Sequence, residues 1–100
     1  MIRSHLDSSK KSLTIDVADR FDYSIHKEFR AAYDSHNEPN TKYTVDLSKT
    51  LHIDSSALGM LLILKEKAEK SGGEVTLKNP SDSASKILKV AKFDKLFKVS

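Results

Sequence analysis

Asp54, Ser55 and Ser56 stand together, with His52 two residues ahead of them. A hydroxyl, a carboxylate and an imidazole are the parts of a nucleophilic hydrolase. That chemistry fits poorly here. Triad members must converge in space, whereas alternation along an extended run sends His52 and Ser55 in different directions. No Gly-x-Ser-x-Gly elbow surrounds either serine. The same residues suit another chemistry better. Asp54 is a good helix N-cap, able to accept from the backbone N–H groups of Ser56 and Ala57. Ser55 then lies in the first helical turn, where the dipole and free N–H groups welcome negative charge. That is a suitable place to carry a phosphate.

The helix that follows is densely apolar through Leu64. At about 100° per residue, Gly59, Leu62 and Glu66 fall within about 40° of Ser55, and Ile63 lies beside them. The opposite arc holds Ala57, Met60, Leu61, Leu64 and Ala68, with Leu58 at its margin. That arc is the natural core face. Leu62 and Ile63 are thus apolar residues that the core does not need, and an exposed apolar face marks a partner site. A second reading stays open on these residues alone: a helix buried all round, with Ser55 only a capping residue. If a phosphate is carried, rotation favours Ser55 over the runner-up Ser56, which turns towards Ile63 and Met60. Gly59 lacks a Cβ and permits close approach.

A wider pattern surrounds this stretch. Val45-Asp46-Leu47-Ser48 leads to Ile53-Asp54-Ser55-Ser56-Ala57-Leu58-Gly59; Gly72-Gly73 closes the helix and Val75-Thr76-Leu77 follows. Over nearly the whole chain this resembles the STAS domain, the sulphate-transporter and anti-sigma-factor-antagonist family. The resemblance implies that the serine directly after the aspartate, Ser55, is phosphorylated by a partner kinase. Two departures stand out. Ala57 replaces a common glycine. Asp19-Arg20-Phe21-Asp22 replaces the usual Gly-Glu-Leu-Asp, so the loop that ends in Asp22 reads a different partner.

The elements that must position these residues follow from pattern. Ile2 and Leu6 begin a first strand, and Asp7 to Lys11 form a polar turn. Leu13, Ile15 and Val17 alternate as a second strand. Residues 19–22 make an exit loop. Ser24 caps a helix with Ile25, Phe29, Ala32 and Tyr33 on one side, ended by Asn37 to Asn40. Tyr43, Val45 and Leu47 form the next strand, whose carboxyl end feeds the Asp54 turn. Open α/β sheets hold functional groups at that end. The long helix runs to about Lys70, with glycine at its left-handed cap. Val75 and Leu77 mark a fourth strand, and Ala84, Ile87, Leu88 and Ala91 a third helix. Phe93, Leu96, Phe97 and Val99 read as a final turn packed on the sheet. The expected fold is α/β: a mixed β-sheet with an opening antiparallel pair, parallel crossovers thereafter, and helices packed against it.

Composition bounds the rest. One hundred residues with 38% apolar and 31% charged content suit a single domain spanning residues 1–100. There is no cysteine, hence no disulfide and no thiolate. The four histidines are scattered, with no metal spacing, and no phosphate-cradling loop occurs. No cofactor, metal or catalysis is expected. The polar N-terminus lacks a signal-like apolar region, and the longest apolar run, Ala57 to Leu64, is too short to span a bilayer. Cytoplasmic residence is expected, away from membranes. The net charge of +3 gathers in Lys86, Lys89, Lys92, Lys95 and Lys98. Without arginine or an aromatic platform beside them, these suit a solvated face attracting an acidic protein more than a nucleic acid.

The expected function is an anti-sigma factor antagonist, switched by phosphorylation of Ser55 and supported by Asp54 and Gly59. Leu62, Ile63, Glu66 and Asp22 would contact the partner. By resemblance that partner is an anti-sigma factor or a serine protein kinase of the histidine-kinase-like ATPase type, with a PP2C-like phosphatase resetting the switch. The short stand-alone form is similar to STAS proteins of biofilm and motility control in Gram-negative bacteria. The alternative is a STAS subunit of an ABC transporter, docking the same helix face on the ATPase subunit.

Overall fold

The computed structural model describes residues 2–100. β1 (Ile2–Leu6) and β2 (Ser12–Val17) pair as an antiparallel hairpin, with Ile2 opposite Val17 and Leu6 opposite Leu13. Asp7 ties the turn: its carboxylate accepts from the N–H groups of Lys11 and Ser12. Then come β3 (Arg20–Phe21), a 3-10 turn (Tyr23–Ile25), α1 (His26–Tyr33), β4 (Lys42–Asp46) and β5 (His52–Ile53). α2 (Ser55–Lys70), β6 (Glu74–Lys78), α3 (Asp82–Val90), a second 3-10 turn (Phe93–Lys95) and β7 (Lys98–Val99) complete the chain.

The main sheet has the order β1-β2-β4-β6-β7, antiparallel at the hairpin and parallel elsewhere. Register explains why one face is buried. Leu13, Tyr43 and Val75 form one row across three strands, and Ile15, Val45 and Leu77 the next. All six are buried, while the alternate positions carry serine, threonine and charge. The buried residues of all three helices join this one apolar cluster. The fold is thus the expected mixed α/β sheet with helices packed against it.

α2 matches its expected rotation. Ala57, Met60, Leu61, Leu64 and Ala68 are buried and Leu58 is half-buried. At its far end Gly72 takes a left-handed φ of 78°, and a Cβ on Gly73 would lie 2.1 Å from the Thr41 carbonyl oxygen. Only glycine lets the chain turn from α2 into β6 against that backbone.

Three local expectations are corrected. The exit loop 19–22 contains β3, which pairs in parallel with β5, so Phe21 is fully buried. Two-residue strands are too short to declare themselves by alternation. Ser24 does not cap α1. Asp22 caps the preceding 3-10 turn instead, accepting from the Ser24 N–H at 3.0 Å and from the Ser24 hydroxyl. A carboxylate is the stronger acceptor, so the serine is left to donate. At the C-terminus Phe93 and Phe97 are buried and stacked, but Leu96 and Val99 are exposed, and Lys98–Val99 adds a fifth strand.

The two faces of α2 should separate in stability. Leu61→Ala removes a fully buried side chain and should cost about 2–5 kcal/mol. Leu62→Ala, on the exposed side, should change stability by less than about 0.5 kcal/mol. Urea denaturation of both variants measures the difference; equal losses would mean that α2 is buried on both faces.

Candidate functional site

The site begins with how the chain reaches Asp54. Thr50 is buried, and its hydroxyl donates to the carbonyls of Val17, at 3.3 Å, and Ala18, at 3.0 Å. The Asp19 carbonyl accepts from the N–H groups of Leu51 and His52 at 2.8 and 2.9 Å. The Asp54 N–H donates to the Phe21 carbonyl at 3.3 Å. These bonds fasten β5 beside β3 and bring Asp54 close to Asp22.

Asp54 then caps α2 from an extended backbone. One oxygen, Oδ1, accepts from the Ala57 N–H at 2.9 Å and from the Ser56 hydroxyl at 2.6 Å. The expected Ser56 N–H contact is therefore replaced mainly by the Ser56 side chain. The Ser56 hydroxyl, followed by the Ala57 N–H, holds the Asp54 carboxyl below the usual aspartate range; Asp22 nearby pushes the other way. Asp22 is also held low, first by the Ser24 hydroxyl and then by the Ser24 N–H. Arg20 approaches Asp22 at 3.7 Å.

The two serines now differ. Ser56 is half-buried, with its hydroxyl committed to Asp54. Ser55 is exposed, the first residue of α2, and its hydroxyl has no partner among the described residues. Leu62 and Ile63 are 43% and 60% exposed. Glu66 is exposed and pairs with Lys70 at 3.2 Å; with Ile63 it lines a shallow groove along the helix. A second groove, lined by Arg20, Asp22, Leu51, Asp54 and Ile87, runs beside the cap.

No contact within the described residues accounts for Gly59. A Cβ there would meet nothing within 4 Å. Glycine inside a helix costs about 0.5–1 kcal/mol relative to alanine, and nothing in the described chain requires it.

Two residues at this corner were not anticipated. Thr50 fixes the loop, although no short-range pattern marks a threonine that bonds residues more than thirty positions away. Tyr23, next to Asp22, is 64% exposed and stacks on His26 at 4.0 Å. Tyrosine is a common interface anchor, and that was the signal available in the sequence. Among the described residues no group of three histidine or acidic side chains could hold a metal, and no helix is long and apolar enough to cross a membrane.

Comparison with known proteins places this geometry. The family model described as Mlab, STAS domain, matches residues 4–99. A STAS-domain containing protein of Pseudomonas aeruginosa is 41% identical over 90 residues, covering 90% of this chain and 89% of that protein. An anti-sigma-factor antagonist (STAS) domain protein from Planctomyces limnophilus superposes with a TM-score of 0.83 at 18% identity, over 98% of this chain and 87% of its own. The anti-sigma factor antagonist SpoIIAA in its unphosphorylated form gives 0.81 at 17% identity, over 100% and 88%. The phosphorylated form of SpoIIAA, from Bacillus, gives 0.69 at 16%, over 100% and 91%. At these identities the solved structures establish a shared fold.

Two measurements test the cap and the helix. Folding lowers the Asp54 pKa, so its contribution is complete above the unfolded carboxyl value and is lost as pH falls through the lower folded one. Asp54→Ala should cost about 0.5–2 kcal/mol at neutral pH. Denaturation curves of wild type and variant should converge in acid; a gap that persists there would remove the charge from the explanation. Gly59→Ala should raise stability by about 0.5–1 kcal/mol in the same assay, whereas a loss would reveal a neighbour that the open space does not contain.

Proposed function

The chain belongs to the STAS domain family, and from that premise we propose that it is an anti-sigma factor antagonist whose docking is switched by phosphorylation of Ser55. One observation carries the reading. Of the two hydroxyls after the capping aspartate, only that of Ser55 is exposed and uncommitted at the start of α2.

Unmodified, the Ser55 side of α2 docks on an anti-sigma factor or on a serine protein kinase. Leu62 and Ile63 supply apolar contact, Gly59 lets the partner's main chain approach, and Glu66 and Asp22 set the polar rim. Phosphorylation adds about −1.5 to −2 charges. The helix N-terminus accommodates them, so the fold survives. The interface does not, because burying an unpaired dianion is expensive. Asp54 and Asp22 add like-charge repulsion on the same side. A PP2C-like phosphatase resets the switch, in a cytoplasmic pathway such as biofilm or motility control. The role is one of binding rather than catalysis.

A second arrangement uses the same exposed Leu62 and Ile63 without the serine. In it the chain is the STAS subunit of an ABC transporter, and α2 docks on the ATPase subunit.

A serine protein kinase that binds this chain, supplied with ATP, should add one phosphate, and tandem mass spectrometry should localise it to Ser55. Ser55→Ala should fold normally, resist the kinase and hold its partner constitutively. Ser55→Asp should fold equally well and bind weakly. Gly59→Ala, although more stable, should also bind weakly. A phosphate on Ser56, or a Ser55→Asp variant that binds as tightly as Ser55→Ala, would overturn the assignment. Docking on an ATPase subunit regardless of Ser55 would establish the transporter arrangement.

A further inference from the structure

The net charge of +3 has a single source. Residues 82–100 hold Lys86, Lys89, Lys92, Lys95 and Lys98 against Asp82 and Asp94. Taking these five from the seventeen basic residues and these two from the fourteen acidic ones leaves twelve of each, a balanced remainder. The five lie on consecutive elements: α3, the turn after it, and β7. All five are exposed, and none forms an ion pair among the described residues. On α2, by contrast, Lys65 and Lys70 are each held by a glutamate four residues away.

The lysines are not alone at this surface. Val90 is 85% exposed, one helical turn beyond Lys86 and adjacent to Lys89. Leu96, between Lys95 and Lys98, and Val99, just after Lys98, are also exposed. Lys92 adopts a left-handed φ of 61° at the end of α3, where glycine is the residue of least strain. A cation stands there at a conformational cost. The aromatic residues of the segment, Phe93 and Phe97, are buried and stacked at 5.3 Å.

We propose that α3 and the turn after it form a second docking face, for an acidic protein surface whose apolar side chains cover Val90 and Leu96. Charge complementarity selects the occupant. Unpaired lysines raise the encounter rate with an acidic surface, and that steering weakens with salt. Val90 and Leu96 supply exposed apolar side chains that a protein partner can cover. A nucleic acid would leave both uncovered. It would also find neither arginine nor an exposed aromatic ring to stack on. A bilayer would meet isolated aliphatic residues on a nine-residue helix, without an aromatic anchor.

The test uses the whole chain, labelled with ¹⁵N, and a synthetic helical peptide bearing glutamates flanked by leucines. Shifts should gather on Lys86, Lys89, Val90, Lys95 and Leu96, and affinity should fall as salt rises. The double variant K86E/K89E should lose about tenfold or more in affinity. Val90→Ser should also weaken binding, and both variants should keep the wild-type melting temperature because the changed side chains are exposed. The same peptide with glutamine for glutamate should bind poorly. The proposal falls if the shifts lie elsewhere or if the charge-reversed variant binds equally well. It falls also if duplex DNA or phosphatidylglycerol vesicles bind the chain more tightly than the peptide does.

Discussion

The Asp54 carboxylate is the point on which the site turns. By accepting from Ala57 and Ser56 it ends the strand, starts α2 and occupies the second serine, all with one oxygen. Asp22 repeats the device at the neighbouring turn, where it holds Ser24. Pairing of β3 with β5 sets the two capped turns side by side. Their serines hold both carboxyls below the usual aspartate range. Ser55 is what remains at this corner without a part in the architecture.

Long-period features were legible in the sequence. The rotation of α2 separated Ala57, Met60, Leu61, Leu64 and Ala68 from Leu62 and Ile63, because sixteen residues sample the helical period several times. The β1–β2 hairpin was legible for the same reason, at period two. Phe21 was read as loop because its strand has only two residues, and β7 was missed likewise. The pairing of Phe21 with Ile53 of β5 spans more than thirty residues, which local alternation cannot report. At the site, Asp54 as cap and Ser55 as the exposed serine followed from position. The commitment of the Ser56 hydroxyl did not, since it depends on a side-chain rotamer.

The glycines of α2 and its exit stand in different surroundings. Gly73 is demanded from within, by the Thr41 carbonyl pressed against it. Gly59 is demanded by nothing inside the described chain. The helix accepts a weaker interior there and leaves two large apolar side chains in water beside it. Its buried arc, meanwhile, is packed without compromise. One element thus has a buried arc and an exposed one, so residues of the exposed side can change without disturbing the core.

The close approach of Gly73 to Thr41 also bears on the switch proposed for Ser55. α2 is a rod about 24 Å long, fastened at one end through the Asp54 cap and at the other by backbone pressed on backbone. A rod clamped at both ends has no hinge, and its buried arc forbids sliding. In the proposed switch, a charge written at its tip would act on the docking surface directly, with no relay through the body of α2.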